Sequence, residues 1–417
     1  MTILEVHVDS KEILKPSSPT PPHLNLHKLT FLEQFIPPYY MPVILFYKIT
    51  NGEQKLHQLK LSLSKTLTKF PPVAGRIRDN LSIDCNDEGI LYVEAQVNTT
   101  MEDFLHDIDI KFLERFLPCG KAPTGPITQA FQAAIQVTVF QCGGLVIGGY
   151  FSHKIMDAVS VSCFLQSWVQ TFKGINHKSL LPDFTSALAF FPPQDYILPP
   201  GEDSVTYDTD DTCKIKRFVF SASAIKALKA KAISDLVPHP SRVQVISAFI
   251  WKHALAALNK LNKVPQNGKG KTSYFTHTIN LRNPNLTPLS LRCMGSLTLG
   301  SVASIGWDEK EQDLSGYVAK VHEAILKVNK EHVNKFRGEE ALEAMWADAE
   351  MLLFGREGIY MCASMCKIGF NDLDFGWGKP IWGSPWAGVP TLAERNFLIL
   401  VDFNGGEESI HSINSEQ

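Results

Sequence analysis

The chain has 417 residues, 44% of them hydrophobic and 20% charged, and its 40 basic and 43 acidic side chains leave a net charge of −3. That is enough chain for two substantial cores, with neither the basic stripe of a nucleic-acid binder nor an apolar run near the roughly 18 residues of a membrane span. The start, MTILEVHVDSKEILKPSSPTPPHL, lacks the basic opening and long apolar centre of a signal peptide, and the eight cysteines are scattered, only Cys362 and Cys366 lying close. A cytoplasmic protein with reduced thiols and no membrane or nucleic-acid partner is therefore expected.

In chain order, Leu59, Leu63, Leu67 and Phe70 recur at helical spacing, and Pro71-Pro72 stops the pattern. Residues 81–97, LSIDCNDEGILYVEAQV, read as two strands around an Asn-Asp-Glu-Gly turn, a hairpin signal. Residues 143–165, GGLVIGGYFSHKIMDAVSVSCFL, read as a buried strand that delivers His153, Lys154 and Asp157 to its end. A helix should follow from about Ala158, with Val161, Phe164, Leu165 and Trp168 on its buried side.

From about 182 to 213 the prolines, an acidic cluster and the loss of any sustained period mark a long connection. Beyond it KIKRFVF predicts a strand, followed by a serine cap region and a helix. Residues 241–261 form a long helical pattern that is apolar nearly all round, which suits a central core helix. NGKGK (267–271) is a solvated loop, TSYFTHTINLR a strand, and residues 309–336 an amphipathic helical stretch. The expected architecture is mixed α/β: an N-terminal domain over 1–182, a crossover over 183–213 and a C-terminal domain over 214–417.

Two short motifs carry chemistry. His153 stands four residues before Asp157, a spacing that arises by chance about 0.65 times in a chain of this composition. A catalytic base, a metal site and an ordinary strand-to-helix turn all fit that pair. No HExxH or cysteine cluster supplies further zinc ligands, so no metal is expected. The second motif is Asp374 to Gly378, DFGWG, in which Gly376 and Gly378 flank Trp377. Those glycines allow positive φ or close backbone approach, and nothing in the loop is a nucleophile or a phosphate cradle, so a structural loop is expected.

A pentapeptide such as DFGWG arises by chance on the order of 10⁻⁴ times in such a chain. With the mid-chain HxxxD it resembles the BAHD acyltransferases, plant enzymes that move an acyl group from coenzyme A to an alcohol or amine. KPSSPTP (15–21), LSLSKTLTKF (61–70), VAGR (73–76), DCNDEG (84–89), SHKIMDA (152–158), SRVQV (241–245), IWKH (250–253) and INLR (279–282) carry the likeness over about residues 10 to 405. It is greatest to the family's alkaloid branch. The resemblance implies two chloramphenicol-acetyltransferase-like domains with a solvent channel between them and the histidine at its middle.

It also implies roles. His153 is the expected general base, its ordinary pKa lying near operating pH, with no covalent acyl-enzyme. Ser364 is the candidate oxyanion donor, although Met365 stands where relatives carry Trp. Ser241, Arg242 and Lys229 are candidates for the CoA phosphates. Asp157 is expected to turn from His153 and pair with Arg282. Asp374, Gly376, Trp377 and Gly378 are expected to be structural.

Two further departures stand out: Ser296 replaces the family's usual Asn, and the chain stops at GGEESIHSINSEQ, where relatives continue for roughly 20 residues. An incomplete last strand is expected on that ground. The expected activity is acyl-CoA-dependent O-acylation of a small-molecule hydroxyl by a monomer, acetyl-CoA being the expected donor. N-acylation by the same base, or a shortened, impaired paralogue acting as a binding protein, are the alternatives.

Overall fold

The computed structural model describes residues 4–106, 108, 110–118, 124–175, 181–195, 204–205, 213–260, 272–307, 312–353, 358–384, 396–402 and 408–415. In chain order its strands begin β1 (Val6–Leu14), β2 (Leu26–Lys28), β3 (Tyr40–Tyr47), β4 (Arg76–Ile77), β5 (Ser82–Asp84), β6 (Ile90–Val97), β7 (Gly125–Pro126), β8 (Ala133–Phe140) and β9 (Leu145–Ser152). They continue β10 (Ser204–Val205), β11 (Cys213–Phe220), β12 (Thr272–Asn280), β13 (Thr298–Gly306), β14 (Ile359–Ser364), β15 (Trp382–Ser384), β16 (Asn396–Asp402) and β17 (Glu408–Ser415).

The chain forms two compact units, and neither is continuous in sequence. Unit 1 comprises Met1–Tyr207, Leu289–Leu297 and Lys367–Thr391; unit 2 comprises Asp208–Pro288, Thr298–Cys366 and Leu392–Gln417. This differs from the expected division, because Leu289–Leu297 and the DFGWG loop pack in the first unit. The physical reason is local. β15 adds to the edge of β3, and Phe375 and Trp377 stack on each other and pack edge-on against Tyr47 and Phe172.

Unit 1 is built on a six-stranded sheet of order β1-β6-β8-β9-β3-β15, antiparallel except for the β6–β8 pair. β3, β8 and β9 are buried at every position, which explains their near-continuous apolar sequences. Gly148 in β9 is required by space: a Cβ there would lie 1.9 Å from the Phe116 carbonyl oxygen. Phe46, Phe104, Phe116, Phe140 and Trp382 form one aromatic cluster in this core.

The short helices of this unit are α1 (Phe31–Gln34) and α3 (Met101–His106); the longer ones, α2 (Leu56–Leu67) and α4 (Ala158–Phe172), match the expected periodicity and starts. α2 and α4 meet at Trp168, fully buried, whose indole N–H donates to the Leu59 carbonyl and Ser62 Oγ at 3.1 and 3.0 Å. A buried Trp of this kind typically contributes about 3–5 kcal/mol relative to Ala.

The expected 81–97 hairpin does not form. β5 pairs with β2 and β4, whereas β6 pairs with β1 and β8. The turn between them is drawn elsewhere: the Thr20 N–H and hydroxyl bond Asp87 at 2.7 and 2.6 Å. The long connection contains one short helix, α5 (Ser186–Phe190), and β10, which pairs with β7; residues 196–203 and 206–212 lie outside the described residues, as does the loop expected at 267–271.

Unit 2 holds a second six-stranded sheet, of order β11-β17-β16-β14-β12-β13. Its helices are α6 (Ala222–Ala232), α7 (Arg242–Lys260), α8 (Leu314–Lys327), α9 (Lys330–Asn334) and α10 (Ala341–Leu353). Trp251 of α7, Phe275 of β12 and Tyr317 of α8 centre its core. α7 is one-sided rather than apolar all round: Val245, Ile246, Ala248, Trp251 and Leu255 are buried, while His253 and Lys260 are exposed. β17, the strand expected to be incomplete, pairs with β11 from Cys213↔Ser415 to Phe220↔Glu408 and with β16 on its other side.

Candidate active site

β9 ends at Ser152, whose carbonyl accepts the N–H groups of Ile155 and Met156 at 3.3 and 3.1 Å. The chain thus closes one tight turn before α4 begins. His153 lies in that turn. Its N–H donates to the Tyr39 carbonyl at 2.8 Å, and its half-buried ring packs on the Tyr39 ring at 4.8 Å. Burial lowers the His153 pKa below the usual value of 6.5; the Asp157 charge and a bond to the backbone oppose that shift without reversing it. The imidazole is therefore neutral at physiological pH, the form a base must have.

Asp157 is the N-cap of α4, with extended backbone and Oδ1 accepting the Ser160 N–H at 2.9 Å. Asp-x-x-Ser ahead of an apolar helix is a readable cap signal. Its Oδ2 accepts the Leu297 N–H at 3.0 Å. The His–Asp spacing is thus a turn-plus-cap geometry, not two positions on one helix face.

The segment carrying Leu297 is strapped along this turn. Gly295 and Ser160 exchange bonds: the Ser160 hydroxyl donates to the Gly295 carbonyl at 2.8 Å and accepts the Gly295 N–H at 3.1 Å. Asp183 holds the same strap, accepting the Met294 N–H at 2.8 Å and donating its own N–H to the Arg292 carbonyl at 2.9 Å. Ser296, fully buried, places its Oγ 2.7 Å from the His153 carbonyl and 3.0 Å from His153 Nδ1.

Behind Ser296 stands a buried carboxyl that the sequence reading missed. Glu33 Oε1 accepts the Ser296 N–H at 3.3 Å, and Oε2 accepts the Thr30 N–H and hydroxyl at 2.8 and 2.9 Å. The signal was available as Thr-x-x-Glu, and Thr30 and Glu33 do form a capping box on α1. Burial pushes the Glu33 pKa up to about 7, against the Thr30 and Ser296 hydrogen bonds and the nearby Lys154 charge. Lys154 is itself fully buried, its ammonium donating to the Gln34 and Ile36 carbonyls at 2.9 and 3.0 Å.

The DFGWG loop is a separate structure in the same unit. Asp374 Oδ1 accepts the N–H groups of Gly376 and Gly378 at 2.7 and 2.9 Å, and both glycines have positive φ, 108° and 110°. These bonds, the Gly376 one foremost, hold the Asp374 pKa below its ordinary value. The Tyr47 hydroxyl donates to the Leu373 carbonyl at 3.0 Å, tying the loop to the sheet.

The remaining candidates belong to unit 2. Ser364 closes β14, and its Oγ accepts the Cys366 N–H at 3.4 Å. Ser241 caps α7 reciprocally: its Oγ accepts the Gln244 N–H at 3.2 Å while its N–H donates to Gln244 Oε1 at 2.8 Å. Arg242 forms an ion pair with Asp402 at 3.3 Å. Lys229 is half-buried in the last turn of α6. Arg282 is buried, and its N–H and guanidinium donate to Asn280 Oδ1 at 3.1 and 3.2 Å. Among the described residues, no group of three or more His, Cys, Asp or Glu side chains is placed to hold a metal, and no helix is long and apolar enough to cross a membrane.

Comparison with known proteins places this geometry. A family model described as the Transferase family matches residues 4–410. Akuammiline synthase 2 from Alstonia scholaris is 35% identical over 392 residues, 91% of this chain and 85% of its own. Limonoid 7-O-acetyltransferase from Citrus sinensis is 36% identical over 409 residues, covering 91% of this chain and 87% of its own. The crystal structure of vinorine synthase matches with a TM-score of 0.82 at 31% identity, over 99% of this chain and 95% of that one. The expected mixed α/β fold of two chloramphenicol-acetyltransferase-like domains is borne out. So is the likeness read from HxxxD and DFGWG: the chain belongs to the BAHD acyltransferase family, on the side of vinorine synthase and the alkaloid acetyltransferases.

Proposed function

We propose that this acyltransferase moves an acetyl or other short acyl group from an acyl-CoA to a hydroxyl of a plant specialised metabolite, an alkaloid or limonoid alcohol, with His153 as general base. The observation that carries the reading is the placement of His153 in a tight turn at the end of a buried strand, its Nδ1 3.0 Å from Ser296 Oγ, where burial also pushes its pKa down. A thioester is already activated, so the enzyme's main task is to remove the acceptor proton as its oxygen attacks. The acceptor O–H gives its proton to the imidazole and its oxygen bonds the thioester carbonyl carbon. The C–S bond then breaks, and the departing thiolate takes that proton back to leave free CoA. No acyl-enzyme is formed.

In this reading Ser364 donates to the tetrahedral oxyanion, and Arg242, Lys229 and the Ser241 end of α7 receive the CoA phosphates. An Asp157–Arg282 ion pair braces the catalytic turn, and the DFGWG loop is structural. The working protein is a cytoplasmic monomer. Incubation with acetyl-CoA and a panel of alkaloid and limonoid alcohols, following free thiol and product mass, tests the activity. Acceptor-dependent thiol release with an acylated product is expected, and thiol release that no alcohol stimulates would overturn the reading.

A further inference from the structure

The segment Gln34-Phe35-Ile36-Pro37-Pro38-Tyr39 joins α1 to β3 and lies against the catalytic turn. Its shape follows from the two prolines. Were α1 to continue, the Gln34 carbonyl would accept the N–H of residue 38, but Pro38 has none. The helix stops there, and the carbonyl of a buried residue needs other donors. The Lys154 ammonium supplies one at 2.9 Å and the Asn80 amide another at 3.2 Å. Lys154 also donates to the Ile36 carbonyl at 3.0 Å, and the His153 N–H donates to the Tyr39 carbonyl at 2.8 Å. Two successive residues of the turn thus grip one segment, which runs on into β3 where Tyr40 pairs with Ser152 of β9.

The grip seats one side chain on the base. The half-buried Tyr39 ring packs on the His153 ring, with centroids 4.8 Å apart and planes 34° apart. The Tyr39 backbone is held at both ends, its N–H donating to the Pro37 carbonyl at 2.9 Å and its carbonyl taking the His153 N–H. The phenol brings no charge, because burial raises its pKa and keeps it neutral. It brings apolar surface to the imidazole, and burial is the first cause of the lowered His153 pKa.

We infer that Tyr39 is a specificity-determining residue that acts against water: its ring, seated on His153 by the Lys154-bound segment, reserves the base for an acceptor alcohol and shields the acyl-CoA from hydrolysis. The inference rests on the reading of His153 as the base. A base alone does not tell one O–H from another. If water took the alcohol's place, it would give a proton to the imidazole while its oxygen bonded the thioester carbon. The C–S bond would then break and the thiolate would recover the proton, leaving acetic acid and free CoA. Removing the phenol opens a ring-sized space beside a polar imidazole, and such a space holds water. Keeping water out of a site is one means of preventing hydrolysis of a reactive substrate.

The test needs no acceptor. Full-length wild type, Tyr39→Phe, Tyr39→Ala and Tyr39→Ala/His153→Ala are incubated with saturating acetyl-CoA in H₂¹⁸O. Free CoA and ¹⁸O-labelled acetate are quantified by chromatography and mass, per folded molecule by circular dichroism. Tyr39→Ala should hydrolyse acetyl-CoA at least about fivefold faster than wild type, whereas Tyr39→Phe, which keeps the ring, stays within about twofold. Adding His153→Ala should return the leak to the wild-type level or below. A change that merely loosened the fold would lower activity and would not create a hydrolysis that depends on His153. If Tyr39→Ala does not fold, Tyr39→Val, whose branched side chain suits extended backbone, is read in the same assay with the same expectation. Hydrolysis by the truncated variant at or below the wild-type rate would overturn the inference, as would a Tyr39→Phe leak equal to that of Tyr39→Ala. If the leak appears but persists undiminished without His153, the base reading fails while the ring's role as a water barrier stands. If no leak appears and His153→Ala still abolishes the residual wild-type hydrolysis, the base reading stands and the inference fails.

Discussion

Ser296 Oγ touches His153 twice, at the carbonyl oxygen (2.7 Å) and at Nδ1 (3.0 Å), although the two residues lie 143 positions apart in the chain. Both residues belong to unit 1, so the contact ties the 289–297 segment to the turn after β9.

The pH dependence of turnover follows from the lowered His153 pKa, which is caused first by burial. The free enzyme needs the neutral ring, so kcat/KM should be flat above the ordinary histidine value of about 6.5 and fall only at lower pH. A pH profile with saturating acyl-CoA checks this. An acid limb centred above about 7 would show that the imidazolium is favoured instead.

Glu33 makes a stability prediction of definite sign. Its folded pKa is raised from 4.5 to about 7. Between those values the native state holds a proton that the unfolded chain has released, so the stabilisation is full below about 4.5 and is lost as pH rises through about 7. Relative to Glu33→Gln, wild-type stability should therefore fall by about 2–4 kcal/mol between pH 5 and pH 7.5 and then level off. Denaturant unfolding of both proteins across that range reads the difference directly. A gap that does not change with pH would mean that Glu33 is ionised throughout.

Asp374 should matter for stability and little for chemistry. Its Oδ1 accepts two backbone N–H groups, and Gly376 and Gly378 hold φ values that a side chain strains. Asp374→Ala and Gly376→Ala should each cost about 1–3 kcal/mol, while kcat per folded molecule stays within about threefold of wild type. Thermal melts paired with active-site titration measure the two effects. A large kcat loss in fully folded protein would place the loop in the chemistry.

The proposed Asp157–Arg282 pair is open to a double-mutant cycle with Asp157→Asn and Arg282→Gln. Asparagine keeps the N-cap almost as well as aspartate, so the cycle isolates the charge. Coupling above about 1 kcal/mol is expected, whereas independent sites agree within about 0.5 kcal/mol. Additive losses would mean that no ion pair couples the two residues.

Much of unit 1 was legible. The Leu59–Leu63–Leu67 spacing, the Pro71-Pro72 stop and the start of α4 after Asp157 are local signals, and local signals survive into the fold. The failures are all non-local. The 81–97 hairpin had a sound turn, with Asp87 and Gly89 at positive φ, but β6 is apolar enough to need partners on both sides and takes β1 and β8. Nothing in the sequence announces that Leu289–Leu297 and Lys367–Thr391 return to the first unit, because strand-edge pairing and ring stacking are decided by the assembled core. His153 and Asp157 could be found from spacing, but their working partners, Ser296 and Leu297, come from far along the chain. Glu33 stands in a local Thr-x-x-Glu capping box with Thr30, but its bond to the Ser296 N–H comes from far along the chain.

The central claim, that His153 is the base, is tested most directly by His153→Ala, with steady-state thiol release and calorimetric CoA binding measured on the same preparation. A base acts in the transition state more than in the ground state, so kcat should fall about 10²–10⁴-fold while CoA affinity stays within about twofold. A folded variant that retains more than about a tenth of wild-type kcat would contradict the account.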